Sequence, residues 1–106
     1  MLYVLHFDRP ISPRHTCQHY LGFSDDPVSR IQSHWLGNGA RLPQVAHERG
    51  IGFTVVRLWT GDRSRERRIK NRHEHPTLCP ICNPDTAWAN EPGGSLTRDD
   101  IAEMMA

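Results

Sequence analysis

The run His19-Tyr20-Leu21-Gly22-Phe23-Ser24-Asp25-Asp26-Pro27-Val28-Ser29-Arg30-Ile31-Gln32-Ser33-His34 constrains the fold of this chain more than any other. It reads as a short strand ending at a glycine, a turn whose aspartates can serve as helix caps, and a helix with Pro27 at its permissive first turn. On that helix Arg30 and His34 stand at i and i+4 and share a face. A tyrosine leaving a strand, facing an arginine and a histidine one turn apart, suits phosphate chemistry. Further on, Arg63-Ser64-Arg65-Glu66-Arg67-Arg68-Ile69-Lys70-Asn71-Arg72 sets one carboxylate inside a cluster of cations. Together the two segments point to an enzyme that cuts a nucleic-acid backbone.

A chain of 106 residues is long enough for one domain with a single modest core. No stretch approaches the length needed to span a bilayer, and the N-terminus lacks a basic segment followed by an apolar run and a cleavage site. A soluble, cytoplasmic protein is therefore expected. Net charge is uneven. Residues 1–84 carry 12 Lys and Arg against 7 Asp and Glu, a net +5, while residues 85–106 carry one Arg against five acids, a net −4. The basic body favours a polyanionic partner, and the acidic tail reads as a solvated appendage or a weak electrostatic brake. The chain has 3 cysteines, two of them in Cys79-Pro80-Ile81-Cys82. An odd number argues against a secreted disulfide scaffold and for a reducing compartment.

Residues 2–7 are apolar and aromatic enough for a strand, interrupted only by His6. Residues 8–18, with Pro10, Pro13, Arg9, Arg14 and His15, form a loop or a long hairpin connection. Residues 17–23 form a second strand, antiparallel to the first. In the first helix Val28, Ile31 and Trp35 make the buried stripe. Arg30 and His34 fall about 110° round from it, at the flank of the packed face. Gly37-Asn38-Gly39 ends this helix, residues 40–49 form a short second one closed by Gly50, and residues 53–60 form a third strand. Asp62 is placed to cap a helix over 63–72 whose only large apolar residue is Ile69. An irregular stretch through Glu91-Pro92-Gly93-Gly94 leads to a last short helix over 99–105. The order β-β-α-α-β-α predicts an α+β fold, a small three-stranded antiparallel sheet flanked by helices. The nuclease-like domain is expected over 1–84, with an acidic C-terminal tail over 85–106.

Hydrolysis of a phosphodiester needs an activated water, stabilisation of charge on the phosphorane and help for the departing oxygen. Arg30 suits a bidentate contact to the non-bridging oxygens. Glu66 suits a divalent metal held through one carboxylate plus waters, as Mg²⁺ or Mn²⁺ would be, to stabilise the leaving oxygen. Tyr20 and Tyr3 are placed to orient or deprotonate the water, and His34 to take or relay the proton. Arg63, Arg65, Arg67, Arg68, Lys70 and Arg72 would hold the backbone. Each residue also has an ordinary structural reading. Arg30 can pair with Asp26 for under about 1 kcal/mol, Glu66 and Lys70 at i and i+4 can form a helix salt bridge, a strand tyrosine is usually core, and His34 alone would be a surface histidine.

The joint order of these residues resembles the GIY-YIG nuclease superfamily. Tyr20-Leu21-Gly22 is similar to the second half of its signature, and Met1-Leu2-Tyr3 to a degraded first half with the tyrosine intact. Arg30 and His34 match the arginine and histidine of the family's first helix. Glu66-Arg67-Arg68-Ile69-Lys70 matches the setting of its metal-binding glutamate, and Gly37-Asn38-Gly39-Ala40-Arg41 the glycine-rich turn of small stand-alone members. The resemblance spans roughly residues 1–75. Met1 replaces the first glycine, the interval between Tyr3 and Tyr20 is longer than usual, and Phe23 stands where some members have a basic residue. The resemblance implies Mg²⁺-dependent endonuclease activity on DNA. A domain of 106 residues has limited reach along DNA, so specificity is expected from a second copy or a protein partner.

His73, His75, Cys79 and Cys82 are four candidate zinc ligands, in a spacing tighter than the usual finger. Zinc is thus the secondary cofactor expectation, pinning the end of the basic helix rather than doing chemistry. His15 and His19 read as ordinary loop and strand residues. Two rival functions stand beside the nuclease: a nucleic-acid-binding module without turnover, and a zinc-stabilised domain that docks a protein partner.

Overall fold

Strand β1, Leu2–Phe7, lies at the centre of the molecule and is buried on both faces. Its side chains alternate, as period two requires. Tyr3, Leu5 and Phe7 enter one apolar cluster; Leu2 and Val4 enter the other. In the computed structural model, which describes residues 1–10, 18–72, 78–82 and 98–105, β1 is followed by β2 (His19–Phe23), α1 (Pro27–Trp35), α2 (Arg41–Glu48), β3 (Phe53–Trp59), α3 (Arg63–Asn71) and α4 (Arg98–Met105). The sheet is antiparallel in the order β2-β1-β3. The expected class, element order and strand pairing are all present. The expected loop residues Pro13, Arg14, His15 and Cys17, the histidines His73 and His75, and the Glu91-Pro92-Gly93-Gly94 stretch lie outside the described residues.

Local chemistry explains the element boundaries. Asp26 caps α1 by accepting a hydrogen bond from the Ser29 N–H at 3.2 Å, and Asp62 caps α3 through the Arg65 N–H at 2.8 Å. Gly37 (φ 79°) and Gly39 (φ 94°) turn the chain after α1 through left-handed conformations that a Cβ disfavours. Asp26 thus takes the capping role expected of the aspartates in this turn.

Helices cover both faces of the sheet. Ile31 of α1, Ala46 of α2 and Ile101 of α4 pack with Tyr3, Leu5 and Phe7. Ile69 of α3 packs with Leu2, Val4, Leu21 and Trp59 on the opposite face, joined by Leu78 and Cys79. The helix expected near the C-terminus therefore contributes to the core through Ile101, which a purely solvated tail would not do. Among the described residues no helix is long and apolar enough to cross a membrane.

The buried stripe of α1 differs from the expected one. Pro27, Ile31 and His34 face inward, while Trp35 is 47% exposed and stacks on Phe53 with ring centroids 4.1 Å apart. His34 takes the inward position because two hydrogen-bond partners await it there, which removes the usual penalty for burying an imidazole.

Pairing places Tyr3 directly opposite Gly22. The Tyr3 ring lies across Gly22, and a Cβ at that position would collide with the phenol. Gly22→Ala should therefore displace the ring and destabilise the protein by about 1–3 kcal/mol, as overpacking does. Urea denaturation monitored by circular dichroism checks this, and an unchanged midpoint would show that the ring is not held there.

Candidate functional site

Four elements converge on one cleft of about 550 Å³ at the β2 edge of the sheet. Its walls include Tyr3 from β1, Tyr20 from β2, Arg30 from α1, and Arg63, Glu66 and Lys70 from α3. The β1–β2 register aligns the two tyrosines on one face, with ring centroids 6.3 Å apart. Helix α3 packs on β2. Its residues 63, 66 and 70 share one side at 100° per residue, so burying Ile69 swings Glu66 and Lys70 towards Tyr20.

Behind this wall lies a hydrogen-bonded chain. His34 is only 1% exposed and lies behind Tyr3, not at the surface. Its Nδ1 lies 3.3 Å from the Asn38 carbonyl oxygen, which can only accept, so Nδ1 carries the proton. Burial lowers the pKa of His34 below its ordinary 6.5, with the Asn38 carbonyl opposing and the Arg30 charge assisting that shift. The ring is therefore neutral near pH 7, and Nε2 accepts a hydrogen bond from the Tyr3 hydroxyl at 2.8 Å. Burial, assisted by the neighbouring Tyr20, pushes the Tyr3 phenol up to about 12, although the nearby Arg30 guanidinium pulls the other way. Gly39 lets this arrangement close: a Cβ there would sit 3.1 Å from Arg30 Nη1 and 3.3 Å from His34 Cε1.

Tyr20 is half-buried, and its pKa is raised by burial and then by the charge of Glu66, with Arg30 opposing. Lys70 Nζ lies 5.2 Å from the centroid of the Tyr20 ring and 3.7 Å from Glu66 Oε2. The ordinary helix salt bridge is thus present, yet the Glu66 side chain is only 17% exposed and lines the cleft. On α3 by itself this glutamate would stand in solvent. The lean of the helix over β2 encloses the side chain.

The basic run does not form a single surface. Arg63 and Lys70 line the cleft, with the Arg63 guanidinium 5.0 Å from the centroid of the Phe23 ring. Arg67 is exposed beside them by helical periodicity, whereas Arg65, Arg68 and Arg72 turn to the other flank of α3.

A second cluster lies on the opposite face of the same two strands. His6 of β1 and His19 of β2 are cross-strand partners, and the Cys79 and Cys82 thiols reach them from residues 78–82. One ligand atom from each of the four lies within 4.8 Å of the others. Burial pushes the Cys79 thiol pKa up. Two nitrogens and two sulfurs suit zinc; magnesium and manganese prefer oxygen ligands. The expected partners of the cysteines, His73 and His75, lie outside the described residues; among those described, His6 and His19 stand beside the two thiols. A sequence signal for them existed: pairing Tyr3 with Gly22 forces His6 opposite His19 in the same register.

Comparison with protein-family models, with curated proteins and with solved structures gives no match.

The buried chain sets two pH dependences. A lowered His34 pKa contributes stability that is present above pH 6.5 and lost as the pH falls through the depressed value. The raised Tyr3 pKa contributes stability that is present below pH 10.0 and lost as the pH rises towards about 12. Urea midpoints measured across this range should fall at both ends. His34→Gln should flatten the acid limb relative to wild type; an unaltered limb would show that His34 is not the titrating group.

Proposed function

We propose that the chain is a GIY-YIG-type endonuclease that hydrolyses phosphodiester bonds in DNA. The observation that carries this reading is the convergence of Tyr3, Tyr20, Arg30 and Glu66, drawn from four separate elements, on one cleft. Arg30 would grip the non-bridging phosphate oxygens, where negative charge grows as water attacks. Tyr3 and His34 would act as positioning residues: the hydrogen bonds from the Asn38 carbonyl through His34 to the Tyr3 hydroxyl fix the phenol in the cleft wall beside Arg30. Tyr20 lies in the wall and would accept the proton of the attacking water, while Arg63 and Lys70 hold the flanking backbone.

A buried phenol with a raised pKa is a poor base near pH 7. Glu66 is placed to hold a hard divalent cation through one carboxylate and waters, in keeping with Mg²⁺ or Mn²⁺. Such a cation, when bound, would offset the Glu66 charge beside Tyr20, favour the phenolate and stabilise the leaving oxygen. The His/Cys cluster has the wrong donors for that role.

The alternative is a nucleic-acid-binding module without turnover. One observation favours it: Lys70 lies 3.7 Å from Glu66 and would have to yield the carboxylate to a metal.

Supercoiled plasmid incubated with the protein and Mg²⁺ separates the two readings. Nicking is expected, is abolished by EDTA, and falls by roughly a hundredfold or more in Arg30→Ala and Glu66→Ala, the scale seen when a charge-stabilising group is removed. Salt-sensitive retention of the plasmid without nicking would establish the binding module instead.

A further inference from the structure

We propose that His6 Nδ1, His19 Nε2 and the thiolates of Cys79 and Cys82 bind one zinc ion as a closed structural staple. This site does not depend on the nuclease reading. The four donor atoms already lie within 4.8 Å of one another. His6 Nδ1 is 3.1 Å from His19 Nε2, Cys82 Sγ is 3.4 Å from His19 Nε2 and 3.8 Å from His6 Nδ1, and Cys79 Sγ is 3.5 Å from His6 Nδ1. Zinc bonds of about 2.0–2.1 Å to nitrogen and about 2.3 Å to sulfur, at tetrahedral angles, place donors roughly 3.3–3.8 Å apart. The three sulfur–nitrogen spacings fall in that range, and the nitrogen–nitrogen spacing of 3.1 Å lies just below it. Thiols and imidazoles can also share hydrogen bonds, but S–H is a weak donor. A cation satisfies all four groups at once, with both cysteines ionised. Four protein donors leave no open position, the mark of a structural site.

The fold shows what such a staple would secure. Helix α3 has nine residues and one buried apolar side chain, Ile69. Helices shorter than about 12–15 residues are marginal alone. After α3 the chain returns to the sheet at Leu78 and Cys79, which pack in the same cluster as Ile69. A zinc ion bridging residues 79 and 82 to β1 and β2 would fix that return, and small domains commonly need such a link.

Metal analysis and cobalt substitution of the full chain test the site. About one zinc per chain is expected, and Co²⁺ should give thiolate charge-transfer bands with the intense visible absorption of tetrahedral coordination. Chelation should lower the melting temperature, because a ligand that binds only the folded state stabilises it. Cys82 is exposed, so Cys82→Ser should remain folded yet lose the metal. His6→Asn should weaken binding, and His73→Asn with His75→Asn should leave the metal in place. A folded wild-type chain without zinc, without a cobalt spectrum and with a melting temperature indifferent to chelator would overturn the proposal. Metal retained by both Cys82→Ser and His6→Asn, or lost with His73 and His75, would overturn the ligand set.

Discussion

The pairing register between β1 and β2 is the constraint on which the rest of the molecule depends. It sets Tyr3 against Gly22, Leu5 against Tyr20 and His6 against His19 in a single ladder. Strand alternation then sends the tyrosines to one face and the histidines to the other. A slip of one residue would reverse every side chain and dismantle both clusters at once. Such a slip would also drive the Tyr3 ring against a residue with a Cβ. Gly22 therefore acts as a register lock as well as a gap for the ring.

Polar burial is the second organising feature. His34 and Arg57 are each at most 1% exposed, and His19 is 8% exposed. A buried polar group costs about 1–3 kcal/mol when unpaired, comparable to the gain from burying a large apolar side chain. His34 meets that requirement with Tyr3 on one nitrogen and Asn38 on the other. Arg57 pairs across from Val4 beside the irregularity in the β1–β3 ladder, with its guanidinium 5.0 Å from the centroid of the Trp59 ring. These contacts turn potential liabilities into orienting links. The chain from Asn38 through His34 to Tyr3 is the clearest of them, since it couples a glycine-rich turn to the tyrosine in the cleft wall.

Strands and helices were legible in the sequence because their signals are local. Apolar alternation, the Asp26 and Asp62 caps and the glycines at 37 and 39 act within a few residues of where they stand. The cleft residues were legible through the order of the Tyr, Arg and Glu motifs, which the structure gathers into one place. The inward face of α1 was less so. Hydropathy places Trp35 inside and His34 at the flank, whereas Tyr3, 31 residues away in sequence, makes His34 the better buried residue. Likewise, Glu66 looks solvated on α3 alone and becomes enclosed when Ile69 seats the helix on its strand.

The residue pattern by itself determined the elements, their order and the presence of the Cys79-Pro80-Ile81-Cys82 pair. Tertiary structure decided that His6 and His19 stand beside it. The cysteine-to-histidine contacts span 63 to 76 positions in sequence, so neither periodicity nor motif spacing can report them. They exist only because strand pairing joins His6 to His19 and because Leu78 and Cys79 bury themselves against the same face of the sheet. Local chemistry chooses conformation within a few residues, while long-range packing chooses partners.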